Sequence, residues 1–202
     1  MTKSTNLAPA YTPGGWRLGG VCRARARSQS RVVFCILLST SALASADGVS
    51  EGLLTAISLQ ENRKSDVSAV GDRHLLDKSY GIYQIRRQYL EDVMRITDSD
   101  YVLKLWGKRT LTLRDIRDPV VSRWVVRRYL EYYGWVYEQR TGNVATDEVY
   151  ARMHNGGPTG WKKSATQDYW YSVRDILHAL RLAEWSKYQH ERRMMRGGAT
   201  DN

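Results

Sequence analysis

Glu61 closes a run in which Leu53, Ile57 and Glu61 recur every four residues, so a helix through them carries this carboxyl on the same stripe as the apolar side chains. A carboxylate drawn toward a core loses water, which favours its neutral form and lets it keep a proton near neutrality and donate it. The same segment, Gln60-Glu61-Asn62-Arg63-Lys64, equally reads as a solvated helix end. A second carboxylate, Asp72, follows eleven residues later beside Gly71, with Asp66 and Asp77 as rivals for any paired role. Asp72 also suits an ordinary turn. Far downstream, His154-Asn155-Gly156-Gly157-Pro158 joins hydrogen-bonding side chains to glycines whose backbone lets a ligand approach closely, an arrangement fitted to a polar, hydroxyl-rich ligand such as a sugar. Its plain alternative is a helix stop. The four histidines, His74, His154, His178 and His190, show no paired spacing, and both cysteines lie near the N-terminus, so neither a metal site nor a cofactor is implied.

These residues need elements to position them. Ser50 predicts a cap for a helix through Glu61. Val67, Ala69 and Val70, with Gly71-Asp72 as a turn, predict a small hairpin or lobe. Tyr80-Gly81-Ile82-Tyr83-Gln84-Ile85 leads into a helix from Arg86 to Ile96, and Asp98 or Asp100 starts a short piece holding Val102, Leu105 and Trp106. Asp118-Pro119 is a helix start, and Val121, Trp124, Val125, Tyr129, Tyr132 and Val136 behind it mark a central core helix ending at Thr141-Gly142-Asn143. Arg127 and Arg128 fall on or beside its exposed face. Thr146 caps a helix through Val149 and Met153, whose exit turn would carry His154 and Asn155. A last helix bears Trp170, Val173, Leu177 and Leu180 on one face, and beyond Lys187 the chain loses its stripe.

Taken together, H-N-G-G-P-x-G (154–160), K-K-S-x-T (162–166) and Tyr169-Trp170 resemble the closing signature of invertebrate-type lysozymes, the destabilase family. The resemblance runs from about Leu53 to Val173, taking in Gln60-Glu61-Asn62 as the catalytic-Glu segment and 81–85 as the G-x-x-Q-I segment. It implies a mainly α (α+β, lysozyme-like) fold: a helical lobe, a small hairpin lobe and a groove between them. It further implies general-acid cleavage of peptidoglycan, or a chitin-like polymer, by Glu61, with Asp72 near the position of the second carboxylate. Tyr80, Gln84, His154, Asn155 and Gly156 would bind substrate, and Tyr80 and Trp161 could stack on sugar rings or belong to the core. Ser79 and His154 match the serine and histidine credited with isopeptidase activity in some members. If Asp72 lay far from Glu61, a single-glutamate lytic transglycosylase would fit better, and an idle wall-binding module is the non-enzymatic alternative. The family is usually rich in disulfides, yet Trp161 stands where many members have cysteine.

Composition bounds the rest. Residues 1–46 hold six Lys/Arg and no acid, and order a basic stretch, the apolar run Val32–Leu38 and an A-x-A-like site at Ala44-Ser45-Ala46, which predicts a secretory signal and a secreted or periplasmic product. Cys22 and Cys35 both fall within it, leaving no disulfide to the remainder. From Asp47 the chain carries 25 basic and 21 acidic residues, mildly basic and drawn to anionic walls, without the basic runs that nucleic acid would call for. A monomeric catalytic domain over 47–187 and a frayed polar tail over 188–202 are the expected divisions.

Overall fold

The computed structural model describes residues 48–197, so the expected leader and both cysteines lie outside the described residues. Among the described residues six α-helices and one small sheet build the fold. Helix α1 (Glu51–Glu61) begins where the Ser50 hydroxyl accepts the Leu53 N–H at 3.1 Å, and it buries Leu53, Leu54, Ala56 and Ile57 completely. Three two-residue strands follow, β1 (Val70–Gly71), β2 (Ser79–Tyr80) and β3 (Ile85–Arg86), antiparallel in the order β1-β2-β3. The lobe foreseen as a hairpin is thus a three-stranded meander. Asp72 and Gln84, at its two bends, both have positive φ, a conformation that costs a non-glycine residue about 1 kcal/mol or more.

Helices α2 (Arg87–Ile96) and α3 (Ser99–Trp106) come next, the latter capped by the Asp98 carboxylate on the N–H groups of Asp100 and Tyr101. Helix α4 (Pro119–Thr141) starts at Asp118-Pro119 and ends at Gly142 in the left-handed region, as its sequence signals require. Its buried face is broader than the anticipated stripe: Val126, Leu130, Tyr133 and Gly134 join Val121, Val125 and Tyr129, while Trp124, Tyr132 and Val136 are only half-buried.

Arg127 and Arg128 do not lie in open water as the sequence suggested; both are half-buried. Arg127 donates to the Val49 carbonyl at 2.7 Å and pairs with Glu51, and Arg123 pairs with the same carboxylate and donates to Tyr83 Oη at 3.0 Å. Glu51 is the reason: set at the first turn of α1, it collects both guanidinium groups and fastens α1 to α4.

Helix α5 (Asp147–Gly156) includes His154 and Asn155 in its last turn, one turn further than the expected exit. Two short 3-10 turns, Gly160–Lys162 and Ser164–Thr166, lead into α6 (Gln167–Gly197), which packs along α1 and α5. Where a frayed tail was expected from residue 188, the helix continues to Gly197, supported by the Lys187–Glu191 pair and by Trp185, Tyr188 and Arg192 stacking in succession. No helix among the described residues is long and apolar enough to cross a membrane.

Close approach of α4 and α5 depends on Gly134, because a Cβ there would press into the Tyr150 ring. Gly134→Ala is expected to lower stability by about 1–3 kcal/mol through overpacking, even though alanine favours helices by about 1 kcal/mol. An unchanged or raised urea midpoint would show that the two helices can separate without loss.

Candidate active site

A groove of about 620 Å³ opens between the sheet lobe and the helices. Its walls include Glu61, Asp72, Ser79, Gln84, His154, Asn155 and Gly156, seven of the residues singled out from the sequence, together with Arg86, Tyr89, Tyr129 and Lys163.

Glu61 ends α1 where α5 and α6 converge, and its side chain keeps 19% of its exposure. Burial pushes its carboxyl up to about 7; the nearby Asp72 charge adds to the rise, while a hydrogen bond from Tyr169 and the Arg86 charge oppose it. Tyr169 Oη donates to Glu61 Oε1 at 2.8 Å. His154 Nε2 stands 3.6 Å from the same oxygen. That contact is not an ion pair near neutral pH: burial drives His154 down to about 4, against a hydrogen bond to the Tyr83 backbone, so the ring stays neutral wherever Glu61 titrates. Tyr89 Oη lies 3.3 Å from His154 Nδ1 and fixes the ring from its other side.

Asp72 is set differently. Partial burial favours its neutral form, but hydrogen bonds from Arg86 and Ser79 and the charges of Arg86 and His74 outweigh it and hold the carboxyl below the usual range. Arg86 Nη2 and Ser79 Oγ reach Asp72 Oδ2 at 2.8 and 3.0 Å. Ser79 Oγ is also 2.8 Å from Gln84 Oε1, and Gln84 Nε2 donates to the Gly81 carbonyl at 2.7 Å. A hydroxyl has one hydrogen, so Ser79 serves Asp72 or Gln84 but not both at once. This network explains Gly71, where a Cβ would collide with Gln84 Oε1 and Ser79 Oγ.

Other sequence candidates fall elsewhere. Tyr80 is half-buried against the core and does not line the groove, because Ser79 faces the groove and neighbouring strand residues point to opposite sides. Trp161 likewise lies outside the lining, packed edge-on against Tyr137 with Lys162 Nζ 4.7 Å above its ring. Asp66, His74 and Asp77 are exposed and do not line it either. Ser79 and His154 share the groove without a hydrogen bond between them among the described residues: the serine is held by Asp72 or Gln84, the histidine by Tyr89 and the Tyr83 backbone.

The turn after α5 is locked by Arg152, which donates to Thr166 Oγ1 and the Lys163 carbonyl, and by Thr166 Oγ1, 2.8 Å from the Gly160 and Lys163 carbonyls. Lys163 Nζ then reaches back to the Gly156 carbonyl at 2.6 Å. Sequence reasoning gave no role to Tyr169, Tyr89 or Arg86. Tyr169 was within reach, since it stands in the closing Tyr169-Trp170 pair; Arg86 and Tyr89 carried no local signal.

No family model matches the chain. Among curated proteins it is 30% identical to the lysozyme of Ostrea edulis over 145 residues, 71% of this chain and 91% of the oyster protein. A shorter match, 44% over 46 residues, links 22% of the chain to 33% of invertebrate-type lysozyme 6 of Caenorhabditis elegans. The solved structure of Meretrix lusoria lysozyme in complex with Aeromonas hydrophila PliI aligns with a TM-score of 0.49 and 25% identity, covering 65% of this chain and 93% of the matched chain. With a lysozyme matched along most of both sequences and a groove lined by Glu61 and Asp72, the chain belongs to the invertebrate-type lysozyme family and is a lysozyme-type glycosidase.

Proposed function

We propose that the protein hydrolyses the glycan strand of peptidoglycan, with Glu61 as general acid and Asp72 as the ionised partner. The observation that carries this reading is the divergence of the two carboxyls on one groove: Glu61 is raised to about 7 by burial while Asp72 is held low by Arg86 and Ser79. Groups driven apart in this way divide acid and base roles between them at one pH. In the reaction the Glu61 hydrogen passes to the bridging oxygen as the carbon–oxygen bond breaks, and Asp72 supports the positive charge on the oxocarbenium-like carbon. Water completes the hydrolysis and returns a proton to Glu61. Asn155 and the backbone of Gly156 and Gly157 lie where they can meet sugar hydroxyls and amides.

Asp72 on the groove favours this two-carboxylate hydrolysis over a transglycosylase relying on one glutamate. The isopeptidase reading has less support, since among the described residues Ser79 has no histidine bonded to its hydroxyl: its partners are a carboxylate already paired to Arg86 and an amide oxygen. A secreted product acting on anionic cell walls agrees with the expected signal sequence and the mildly basic remainder.

Glu61→Gln should reduce peptidoglycan lysis by a factor on the order of 100 or more, while a wall-pelleting assay shows binding retained; undiminished lysis would refute the acid assignment. For the wild type, lysis requires Glu61 protonated and Asp72 ionised, so the rate should fall above about pH 7 as Glu61 loses its proton. A profile still rising at pH 9 would contradict it.

Folding stability should carry the same signature. A carboxyl raised from 4.5 to about 7 in the folded state supplies stability that is fully present below pH 4.5 and lost as pH climbs through 7, a change of roughly 3 kcal/mol. Urea titrations at pH 4 and pH 8 should therefore show the Glu61→Gln variant gaining on the wild type by about that amount at the higher pH. A gap independent of pH would mean that Glu61 titrates like an exposed side chain.

A further inference from the structure

Glu61 offers two oxygens to a substrate, and the structure treats them unequally. Oε1 accepts the Tyr169 hydroxyl at 2.8 Å and faces His154 Nε2 at 3.6 Å. Oε2 has no hydrogen-bond partner among the described residues, on a side chain that lines the groove. Tyr169 itself is a fixed donor: it lies in the first turn of α6, one turn before fully buried Val173, and the helix is packed along α1. Burial and the neighbouring Glu61 charge raise its phenol well above the ordinary value, so the hydroxyl keeps its hydrogen throughout the working range.

We propose that Tyr169 is a positioning residue that clamps Oε1 of Glu61, so that the hydrogen given to the glycosidic oxygen leaves from Oε2. This rests on Glu61 being the acid proposed above. In a neutral carboxyl the oxygen that accepts the phenol is the carbonyl one, which leaves the hydrogen on its partner. The clamp also fixes a side chain with several rotatable bonds at the end of a helix, just before the exposed Arg63 and Lys64; unclamped, it would sample orientations that point its hydrogen away from the bridging oxygen. During the reaction, as Glu61 becomes an anion, the same phenol hydrogen bond strengthens on Oε1 and stabilises the charge that develops.

Two variants of the full chain test this, with soluble uncross-linked peptidoglycan as substrate: Tyr169→Phe, and 3-fluorotyrosine installed at position 169 alone. The first removes the donor; the second keeps shape and hydroxyl but makes the hydroxyl a stronger donor. Tyr169→Phe should lower kcat by about 10- to 100-fold with little change in KM and move the alkaline limb of the kcat/KM profile upward by up to roughly one unit. The fluorinated chain should move that limb downward.

Opposite movements are the signature of a hydrogen bond to the acid, and a residue serving only packing would not produce them. If both variants leave the limb where it is while Glu61→Gln is inactive, the clamp is wrong and the acid assignment stands. If Glu61→Gln lyses peptidoglycan normally, the reading beneath the proposal fails first. Should Tyr169→Phe not fold, the direction of the limb in the fluorinated chain still decides: downward supports the clamp, unmoved overturns it.

Discussion

The carboxyl of Glu61 is kept partly dry by three helices that meet around it, and the site depends on that junction. Helix α1 carries it, α5 brings His154 beneath it and α6 lays Tyr169 against Oε1. Helix α1 alone would leave the carboxyl hydrated, with only the small rise in proton affinity that the negative end of a helix dipole gives; the large rise needs the burial that α5 and α6 complete. The junction is held by ordinary forces. Gly52 lets the Leu177 side chain come close enough that a Cβ would sit 3.3 Å from it, and Glu51 with Arg123 and Arg127 fastens the other end of α1 to α4. Holding a carboxyl in that place costs stability whenever it ionises, a cost commonly met at catalytic positions.

Across the groove the sheet lobe produces the opposite electrostatics with few residues. Two bends with positive φ, at Asp72 and Gln84, aim their side chains at Ser79, and Arg86 on the neighbouring strand supplies the cation that keeps Asp72 ionised. Strained backbone of this kind persists where surrounding bonds over-determine it. Here Gln84 Nε2 is bonded to the Gly81 carbonyl and there is no room for a side chain at position 71, so the bends have little alternative. One wall therefore dries a carboxyl and the other stabilises one as an anion, which lets two groups of nearly the same intrinsic acidity differ in charge at neutral pH.

Much of the scaffold was legible in the chain itself. Ser50, Asp98, Asp118-Pro119 and Thr146 mark helix starts through side-chain or proline chemistry that acts within three residues, and each helix begins where its cap stands. The step-four recurrence of Leu53, Ile57 and Glu61 placed the carboxyl on the inward stripe, whereas the H-N-G-G-P turn, which by residue type alone reads as readily as a helix stop, lines the groove. Where local signals misled, a distant partner was the cause. Arg127 is engaged by Glu51, 76 residues away in the chain, and Tyr80 turned to the core because pairing of β2 with its neighbours set Ser79 toward the groove.

The amino-acid order by itself determined the helices, their caps and the stripe that carries Glu61, because periodicity and capping are decided by neighbours a few residues apart. It also narrowed the second carboxylate to three aspartates in one short segment. Which aspartate lines the groove, which phenol touches Glu61 and how dry that carboxyl becomes were decided only by the tertiary structure. Tyr169 and Glu61 are 108 residues apart, and desolvation arises from what packs around a group, a quantity that no local stretch of sequence contains.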